Sequence, residues 1–559
     1  MKKFFCTVLC LMLAASFSGC NGGASSPADT SVGAPSEKLA EILYISPYGS
    51  DTGDGSEEKP FATVEAARDV IRAKKSSAGL PDGGITVLIK NGTYSIAEPI
   101  EFRGEDSGET GKPIVYTAEE KGSVIFDGGV PFDISNGETE NETPVIIGRS
   151  VNYIEFDGIT FENASGAAII FELDGADSER MTDISVRNCT VRNIGGTAVI
   201  ISDAVNTAIE NNDIYNVGGG GIYLENRDTE NSASAKNIIH DNLVHDFNKI
   251  KNVNGICVRG VGFTVSNNEV YNGNYCAITA YTRDSMIQYN ICHNVNYTGG
   301  NLFGAITVDG SWANIGNVIR YNYIYDILYH IPNKPGVENP MPSGIHIDNT
   351  LPEQYIYGNT IFNVHGNGIT AGSGKNITVR NNVLMNVGHA PICIHDPSTK
   401  KDELAYNGGY TGYWEELQKM NYTSEYLLSM YPELSLILEV GGSPFYADDP
   451  ASQSYAIVEG NALYGREGMH DAFPRDYITE SPFELISYDD VVLAGGRTYS
   501  YGSVRNNVAY HTWPKYGIGT CGKVEHALTA ESQIYCDVVG FQRIPYEMIG
   551  NIDMEVNEK

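Results

Sequence analysis

One short phrase recurs along this chain and constrains its fold more than any other feature. An asparagine stands two residues before an apolar residue in "ENNDIYN", "HDNLVHD", "SNNEVYN", "QYNICHN", "RYNYIYD", "YGNTIFN" and "RNNVLMN". Successive copies are 22 to 37 residues apart, and the shortest spacing is close to one coil of a parallel β-helix. The asparagines are Asn212, Asn242, Asn268, Asn290, Asn322, Asn359 and Asn382.

A constant phrase with spacers of variable length is typical of stacked repeats whose insertions leave at the turns. The repeat therefore predicts an all-β fold, a right-handed parallel β-helix, in which each rung pairs with the rungs above and below it. Side-chain amides at equivalent positions can hydrogen-bond to one another along such a stack. We expect these asparagines to be structural rather than catalytic.

Two segments depart from the repeat. The segment "TVEAARDVIRAKK" at 63–75 carries Val64, Ala67 and Ile71 on one helical face, which predicts a helix that caps the open N-terminal end of the stack. Residues 400–455 interrupt the rhythm with helical spacing and many aromatic residues, among them Tyr410, Tyr413 and Trp414. They predict a lid-like excursion within a single catalytic domain at 42–559.

The N-terminus has the pattern of an export signal. A Lys pair precedes an apolar run that is too short to span a bilayer, and Ser18, Gly19 and Cys20 follow it. This ending resembles a bacterial lipoprotein signal, which implies cleavage after residue 19 and lipidation of Cys20. Residues 20–41 suit a flexible tether. We expect an exported monomer, lipid-anchored at the bacterial cell surface or the periplasmic face.

The net charge and the cysteine spacing limit the kinds of ligand and cofactor that this protein is expected to bind. The formal net charge of −33 argues against nucleic acid, whose phosphates the protein would repel, but it does not affect binding of a neutral glycan. The seven cysteines after Cys20 lack metal-type spacing, and we expect them to be mostly buried apolar residues. No metal or other cofactor is indicated.

Aligning the strands places two carboxylates side by side. In "GIHID", Ile345 and Ile347 point into the coil, so His346 and Asp348 point outward. The same register in "GAITVD" exposes Asp309. Extended along the chain, it predicts one outward column of Glu225, Arg259, Tyr281, Asp309, Asp348, Gly372 and His395.

Equivalent carboxylates on neighbouring rungs would lie about 5 Å apart, where one retains a proton and the other is ionised. That pair can supply the acid and the nucleophile of a retaining glycosidase. Asp326 and Asp396 are the alternatives for the catalytic role. The outward residues expected to bind the sugar, with Trp312 stacking on its ring, are Glu225, Arg259, Tyr281, Trp312, His346 and His395.

Longer phrases carry a family resemblance. The segments "YISPYGSDTGDGSEEKPFATVEAARDVIRA", "EDSGETGKPIVYTA", "GSWANIGNVIRYNYIYDI", "GIHIDN" and "GFQRIPYEMIG" together resemble the β-helix enzymes of glycoside hydrolase family 141. The resemblance runs from about residue 42 to about residue 551 and implies α-L-fucosidase or xylanase activity on polysaccharide, with an aspartate pair for catalysis. By motif, Asp348 falls on the aspartate of the family's "YLDD"-like strand. Asn349 stands where relatives often carry a second aspartate.

Two other classes of function stay open at this point. A polysaccharide lyase or epimerase acting on uronic acids would use an Arg or Lys base, such as Arg259, and Ca²⁺ beside acidic residues. A surface glycan-binding protein without catalysis would keep the aromatic residues but would not need either aspartate.

Overall fold

The protein is described here from a computed structural model. The described residues are 40–132, 143–175, 178–226, 236–248, 253–296, 303–328, 342–348, 351–371, 376–387, 391–394, 411–432, 434, 456–464, 483–485, 491–493, 497–499, 502–505 and 508–510. They form an all-β, right-handed parallel β-helix, as the repeat predicts. Each coil contributes one strand to each of three parallel sheets, named A, B and C here.

The strands of each sheet stack in chain order within the described residues. Sheet A contains Glu41–Ile45, Ile85–Ile89, Ile114–Ala118, Ile154–Asp157, Ile184–Arg187, Ala208–Glu210, Asn237–His240, Phe263–Ser266, Met286–Gln288, Asn317–Arg320, Gln354–Tyr357, Ile377–Arg380, Ala456–Glu459 and Gly502–Arg505. Sheet B contains Gly92–Ser95, Val124–Asp127, Thr160–Ala164, Thr190–Ile194, Asp213–Val217, Leu243–His245, Glu269–Gly273, Ile291–Val295, Tyr323–Ile327, Thr360–Val364, Val383–Val387, Ala462–Tyr464 and Val508–Tyr510. Sheet C contains Ile100–Arg103, Ile146–Arg149, Ile169–Glu172, Val199–Ile201, Ile222–Glu225, Ile256–Val261, Ile278–Arg283, Gly304–Val308, Ser343–Ile347, Ile369–Ala371, Ile392–Ile394 and Phe483–Leu485.

Two short strand pairs among the described residues lie outside the three large sheets. Met181–Thr182 pairs in parallel with Ala204–Val205, and Val491–Leu493 pairs antiparallel with Arg497–Tyr499. Most strands of the three large sheets alternate buried and half-buried residues, because successive side chains point to opposite faces and only one face meets the core. The strands Gly304–Val308 and Ser343–Ile347 of sheet C are exceptions, since all of their residues are buried.

The asparagine ladder is present as predicted. The side-chain amide of Asn290 donates to Asn322 Oδ1 at 3.0 Å and to the Val265 carbonyl oxygen at 2.9 Å. Its own Oδ1 accepts from the amide of Asn268 at 2.9 Å. The same pattern links all seven asparagines and continues to one more, Asn461. These side chains are buried, so the ladder satisfies polar groups inside the turns and holds the rungs in register.

The helical cap is also confirmed. Helix α1 spans Val64–Ala78, and the Thr63 side chain caps it by accepting from the Ala66 N–H. Val64, Ala67 and Ile71 are buried in the core, so the helix covers the apolar end of the stack. A 3-10 turn follows at Gly104–Asp106.

Two helices lie within the predicted excursion. Helix α2 spans Thr411–Lys419 and helix α3 spans Glu425–Met430, with Ser424 as its N-cap. Leu417 and Leu427 are buried. Tyr410 lies outside the described residues, as do the side chains of Tyr413 and Trp414.

The predicted signal at 1–19 and the predicted tether up to residue 39, including Cys20, lie outside the described residues, and the last residue of the predicted tether, Glu41, begins the first strand. Within the described part of the chain, no helix is long and apolar enough to cross a membrane. The cysteines described there are free thiols, and four are buried and one is half-buried, which confirms the expectation for Cys189, Cys257, Cys276, Cys292 and Cys393.

Candidate functional site

The outward column on sheet C has the register that the sequence predicts. Glu225 pairs with Arg259, and Arg259 pairs with Tyr281. Val308 pairs with Ile347, and Asp309 and Asp348 directly follow these two residues. The Asp348 N–H donates to the Val308 carbonyl oxygen at 2.8 Å, so the ladder continues through the aspartates. The two carboxylates therefore lie on neighbouring rungs, whose strands are about 4.8 Å apart.

Both aspartates are partly accessible at the edge of a buried sheet. The Asp348 side chain is 26% exposed and Asp309 is half-buried, whereas the strands that precede them are buried on both faces. Asp309 Oδ1 accepts from the Gly310 N–H at 2.6 Å. The pair thus combines solvent access with backbone that the ladder holds in place.

His346 contacts Asp348 from within the sheet. Its Nε2 lies 3.3 Å from Asp348 Oδ1, and Phe303 packs edge-on against the imidazole at 6.0 Å. The residue is only 5% exposed, and its Nδ1 has no hydrogen-bond partner. The imidazole therefore orients the Asp348 carboxylate, and the predicted role of His346 as a direct ligand of the sugar requires access that this buried position does not offer.

Three residues continue the column beyond the aspartates. Arg259 is exposed, and its guanidinium carbon lies 4.5 Å from the centre of the Tyr281 ring. Burial and the nearby Asp309 charge raise the pKa of Tyr281, so its phenol stays protonated and can donate a hydrogen bond. Glu225 Oε2 accepts from the Tyr223 hydroxyl at 3.0 Å.

Tyr223 also contacts the outward column, although it is not among the residues that the sequence predicts to bind the sugar. Tyr223 lies two residues before Glu225 on the same face of the strand, and it pairs with Cys257 on the next rung. Its phenol reaches across to Glu225 along the same strand. The signal was available in "GGIYLE", because a long polar side chain two residues from another on one face is within reach of it.

Other candidates are placed differently from the prediction. Trp312 is 1% exposed, so its ring offers no face to a sugar and the prediction of stacking is wrong. Its burial reflects packing in the turn after Asp309, which the strand alternation does not describe. Asp326 belongs to sheet B, where it accepts from the Asn363 amide, and so it does not join the column. His395, Asp396 and Gly372 lie outside the described residues.

The excursion contacts the turn that follows one strand of sheet C. The Tyr431 hydroxyl, just after helix α3, hydrogen-bonds to Asp284 Oδ1. Asp284 follows the strand Ile278–Arg283, which contains Tyr281. Burial raises the pKa of Tyr431, and the Asp284 charge adds to the effect, so this phenol remains a donor. In the described part of the chain, no group of three or more His, Cys, Asp or Glu side chains is arranged to hold a metal ion.

Comparison with known proteins supports the fold. A family model described as a right-handed beta helix region matches residues 168–331. The fold is a right-handed β-helix. The chain is 31% identical over 167 residues to the uncharacterized protein YwoF of Bacillus subtilis, which covers 29% of this chain and 31% of that protein. It is 27% identical over 148 residues to pectate lyase PEL9 of Emericella nidulans, which covers 26% of this chain and 33% of the lyase. The chain thus spans about a third of the length of these curated relatives.

Solved structures are similar to parts of this chain at low TM-score and low sequence identity. The GH136 lacto-N-biosidase from Eubacterium ramulus has a TM-score of 0.40 and 13% identity, covering 62% of this chain and 64% of that one. The A-module of mannuronan C-5 epimerase AlgE4 from Azotobacter vinelandii has a TM-score of 0.38 and 10% identity, covering 59% of this chain and 87% of that one. The similar proteins therefore include glycoside hydrolases as well as lyases and epimerases. The resemblance to family 141 in particular stays a prediction.

Proposed function

We propose that this protein is a glycoside hydrolase that cleaves plant or host glycans with Asp309 and Asp348. The observation that carries the proposal is the continuous backbone ladder through these two residues, which sets their carboxyl groups on adjacent rungs at the accessible end of sheet C. Two carboxylates at this spacing repel unless one is protonated, and a protonated and an ionised carboxyl group side by side are what glycoside hydrolysis needs.

The chemistry follows from that shared proton. The protonated carboxyl group donates its proton to the departing glycosidic oxygen, while the ionised one attacks the anomeric carbon and forms a glycosyl-enzyme bond. The first residue then removes a proton from water, which hydrolyses the bond. If the carboxyl groups keep the strand spacing of about 5 Å, their separation matches this retaining route and is too short to seat a water for direct inversion. Which aspartate is acid and which is nucleophile stays open.

Neighbouring side chains suit the two roles. His346 Nε2 contacts Asp348 and limits its rotation, which keeps the carboxylate in one geometry. The protonated Tyr281 phenol is a hydrogen-bond donor along the same column, where sugar hydroxyl groups would lie, and the Arg259 guanidinium lies over its ring. The proposal includes export and attachment through lipidated Cys20, which would bring the enzyme to polymeric substrates outside the cell.

A lyase or epimerase acting on uronic acids is the second candidate. Arg259 is an exposed arginine in the column and has the position of a base, and the chain is similar over part of its length to a pectate lyase. Such an enzyme removes the proton beside the uronate carboxylate, so a lyase leaves an unsaturated sugar end instead of adding water.

Product analysis distinguishes these candidates. Purified protein is incubated with aryl glycosides and with xylan, pectic and uronate polymers, and both reducing ends and unsaturated ends are measured. The hydrolase proposal predicts new reducing ends without unsaturated ends. Unsaturated ends from a uronate polymer would establish the lyase instead, and no product from any substrate, with glycan binding retained, would favour the binding protein.

A further inference from the structure

Arg259 differs from three arginines on the outer faces of the coil that are paired with carboxylates. Arg149 on sheet C is ion-paired to Glu101 and Glu172, and Arg187 on sheet A is ion-paired to Glu155 and Glu210. On sheet B, Arg192 is ion-paired to Glu162. The charges of these arginines are balanced by carboxylates on adjacent rungs. Their role is to stabilise the stack, and their guanidinium groups are already paired.

Arg259 has such a carboxylate beside it but does not use it. Glu225 is its partner in the strand register, yet a Glu225 oxygen accepts from the Tyr223 hydroxyl instead. Within the described part of the chain, Arg259 has its guanidinium over the Tyr281 ring and forms neither a hydrogen bond nor an ion pair. The site therefore contains an exposed guanidinium whose N–H groups form no hydrogen bond with the described residues.

The stacking on Tyr281 prepares this cation to bind an anion. A guanidinium held over an aromatic ring keeps its position through cation–π attraction, while the N–H groups at its edge remain available to a ligand. Those N–H groups form a planar fork that matches the two oxygens of a carboxylate or a sulfate. Neutral sugar hydroxyl groups gain much less from such a fork, because they carry no charge.

We propose that Arg259 selects an acidic glycan by binding a carboxylate or sulfate group of the substrate. Arg259 lies two rungs from Asp309, about 10 Å between strands, which places the anionic group on a sugar unit beside the cleaved bond. This inference rests on the proposed hydrolase function, and it names the substrate class of the same site. The net charge of −33 makes a local cation the more necessary for such a ligand, since the rest of the protein repels it.

The test measures binding without turnover. The Asp348→Asn variant and the Asp348→Asn/Arg259→Gln variant are titrated calorimetrically with matched oligosaccharides. The neutral probes are unsubstituted xylo-oligosaccharide and agaro-oligosaccharide, and the acidic probes are glucuronate-substituted xylo-oligosaccharide, oligogalacturonide and sulfated carrageenan oligosaccharide. We expect loss of Arg259 to weaken binding of an acidic probe at least tenfold, about 1.4 kcal/mol, and to leave neutral probes unchanged. Loss confined to uronates assigns the carboxylate, and loss confined to the carrageenan probe assigns the sulfate.

Two further substitutions serve as controls for the shape of the guanidinium and for the net charge. Arg259→Lys keeps the charge but not the planar fork and should restore binding only in part. Arg187→Gln removes the same charge from sheet A and should change no affinity, which controls for net charge. The inference is overturned if acidic probes do not bind, bind equally without Arg259, or lose no more affinity than neutral ones. Because the binding variants are inactive by design, these outcomes are separate from a failure of wild-type protein to release reducing ends.

Discussion

A single buried side chain in each coil holds neighbouring turns of this molecule together. Asn290 is fully buried, and its amide group serves as donor and acceptor to the rungs on both sides. Its Oδ1 also accepts the backbone N–H of Asn268 at 3.0 Å. An amide is suited to this position because it can donate and accept at once, which a carboxylate or a hydroxyl group cannot do in the same geometry.

Removal of one such amide should be strongly destabilising. Asn290→Ala leaves several buried donors and acceptors without partners, each of which costs about 1–3 kcal/mol. We expect the free energy of unfolding to fall by about 3 kcal/mol or more, measured by urea denaturation. Asn91→Ala, at an exposed asparagine, is the control and should have an effect below about 0.5 kcal/mol. Equal stability of both variants would mean that the ladder does not stabilise the coil.

The sequence could predict residues whose environment repeats, but not those fixed by one local turn. The asparagine positions and the register of Asp309 and Asp348 recur with the coil, so alternation alone locates them. Trp312 lies beyond the strand in a turn, where nothing repeats, and its burial depends on contacts that the pattern does not contain. The buried environment of His346 was missed for a similar reason, because alternation assigns a face but does not say what covers it.

At the scale of the element, sheet B carries a column of stacked rings on its outer face. The ring centres of neighbouring members are 4.6 to 5.1 Å apart, and the planes are within 9° of parallel. The members are Tyr215, His245, Tyr271, His293 and Tyr325. Each stands three residues after a ladder asparagine, so the repeat also contains the signal for this stack. Stacked rings add cross-strand attraction to the backbone ladder.

The stack should make stability depend on pH through His245. Burial works to lower the pKa of His245, but its contacts with Asp213 and Asp246 outweigh burial and leave the pKa raised from the usual 6.5. A raised pKa in the folded state means that the protonated imidazole stabilises the fold fully below about pH 6.5, and that this contribution is lost as pH rises through the folded-state pKa. Thermal unfolding of wild type and His245→Gln should therefore differ most at low pH. A melting-temperature difference that stays constant from about pH 5 to about pH 9 would contradict this assignment.

At the scale of the whole molecule, the predicted signal and tether precede the β-helix in the sequence. The predicted lipidation site at Cys20 precedes the first strand, Glu41–Ile45, by a stretch suited to a flexible tether. Under the proposed function, such a tether would let a surface enzyme reach a polymer, while the asparagine ladder holds the rungs that precede Asp309 and Asp348 in register.

Fractionation of cells tests the anchor. Cys20→Ala removes the thiol that would carry the lipid, and we expect the variant to move from the membrane fraction to the soluble fraction, as followed by immunoblotting. A single acyl chain gives only weak membrane binding, so stable retention of wild type requires the full lipoprotein modification. Cys189→Ala, at a buried thiol of the coil, should leave the distribution unchanged. A variant of Cys20 that remains in the membrane would refute the lipoprotein assignment.

If catalysis takes place at the aspartates that follow sheet C, the same substitution on two sheets should have different effects on activity. Asp348→Asn removes the ionisable group from the proposed pair, whereas Asp326→Asn removes one from sheet B. There asparagine already occupies the equivalent strand position with positive φ on the next rung, at Asn363. Neither change empties the core, so melting temperatures should stay close to wild type.

The decisive measurement is kcat of both variants on a substrate that wild type hydrolyses. We predict that Asp348→Asn lowers kcat by more than tenfold, a loss above about 1.4 kcal/mol, and that Asp326→Asn retains wild-type activity. If Asp348→Asn keeps more than about a tenth of wild-type kcat, Asp348 is not the catalytic carboxylate. If Asp326→Asn is the inactive variant instead, the active site lies on sheet B and the account given for sheet C is wrong.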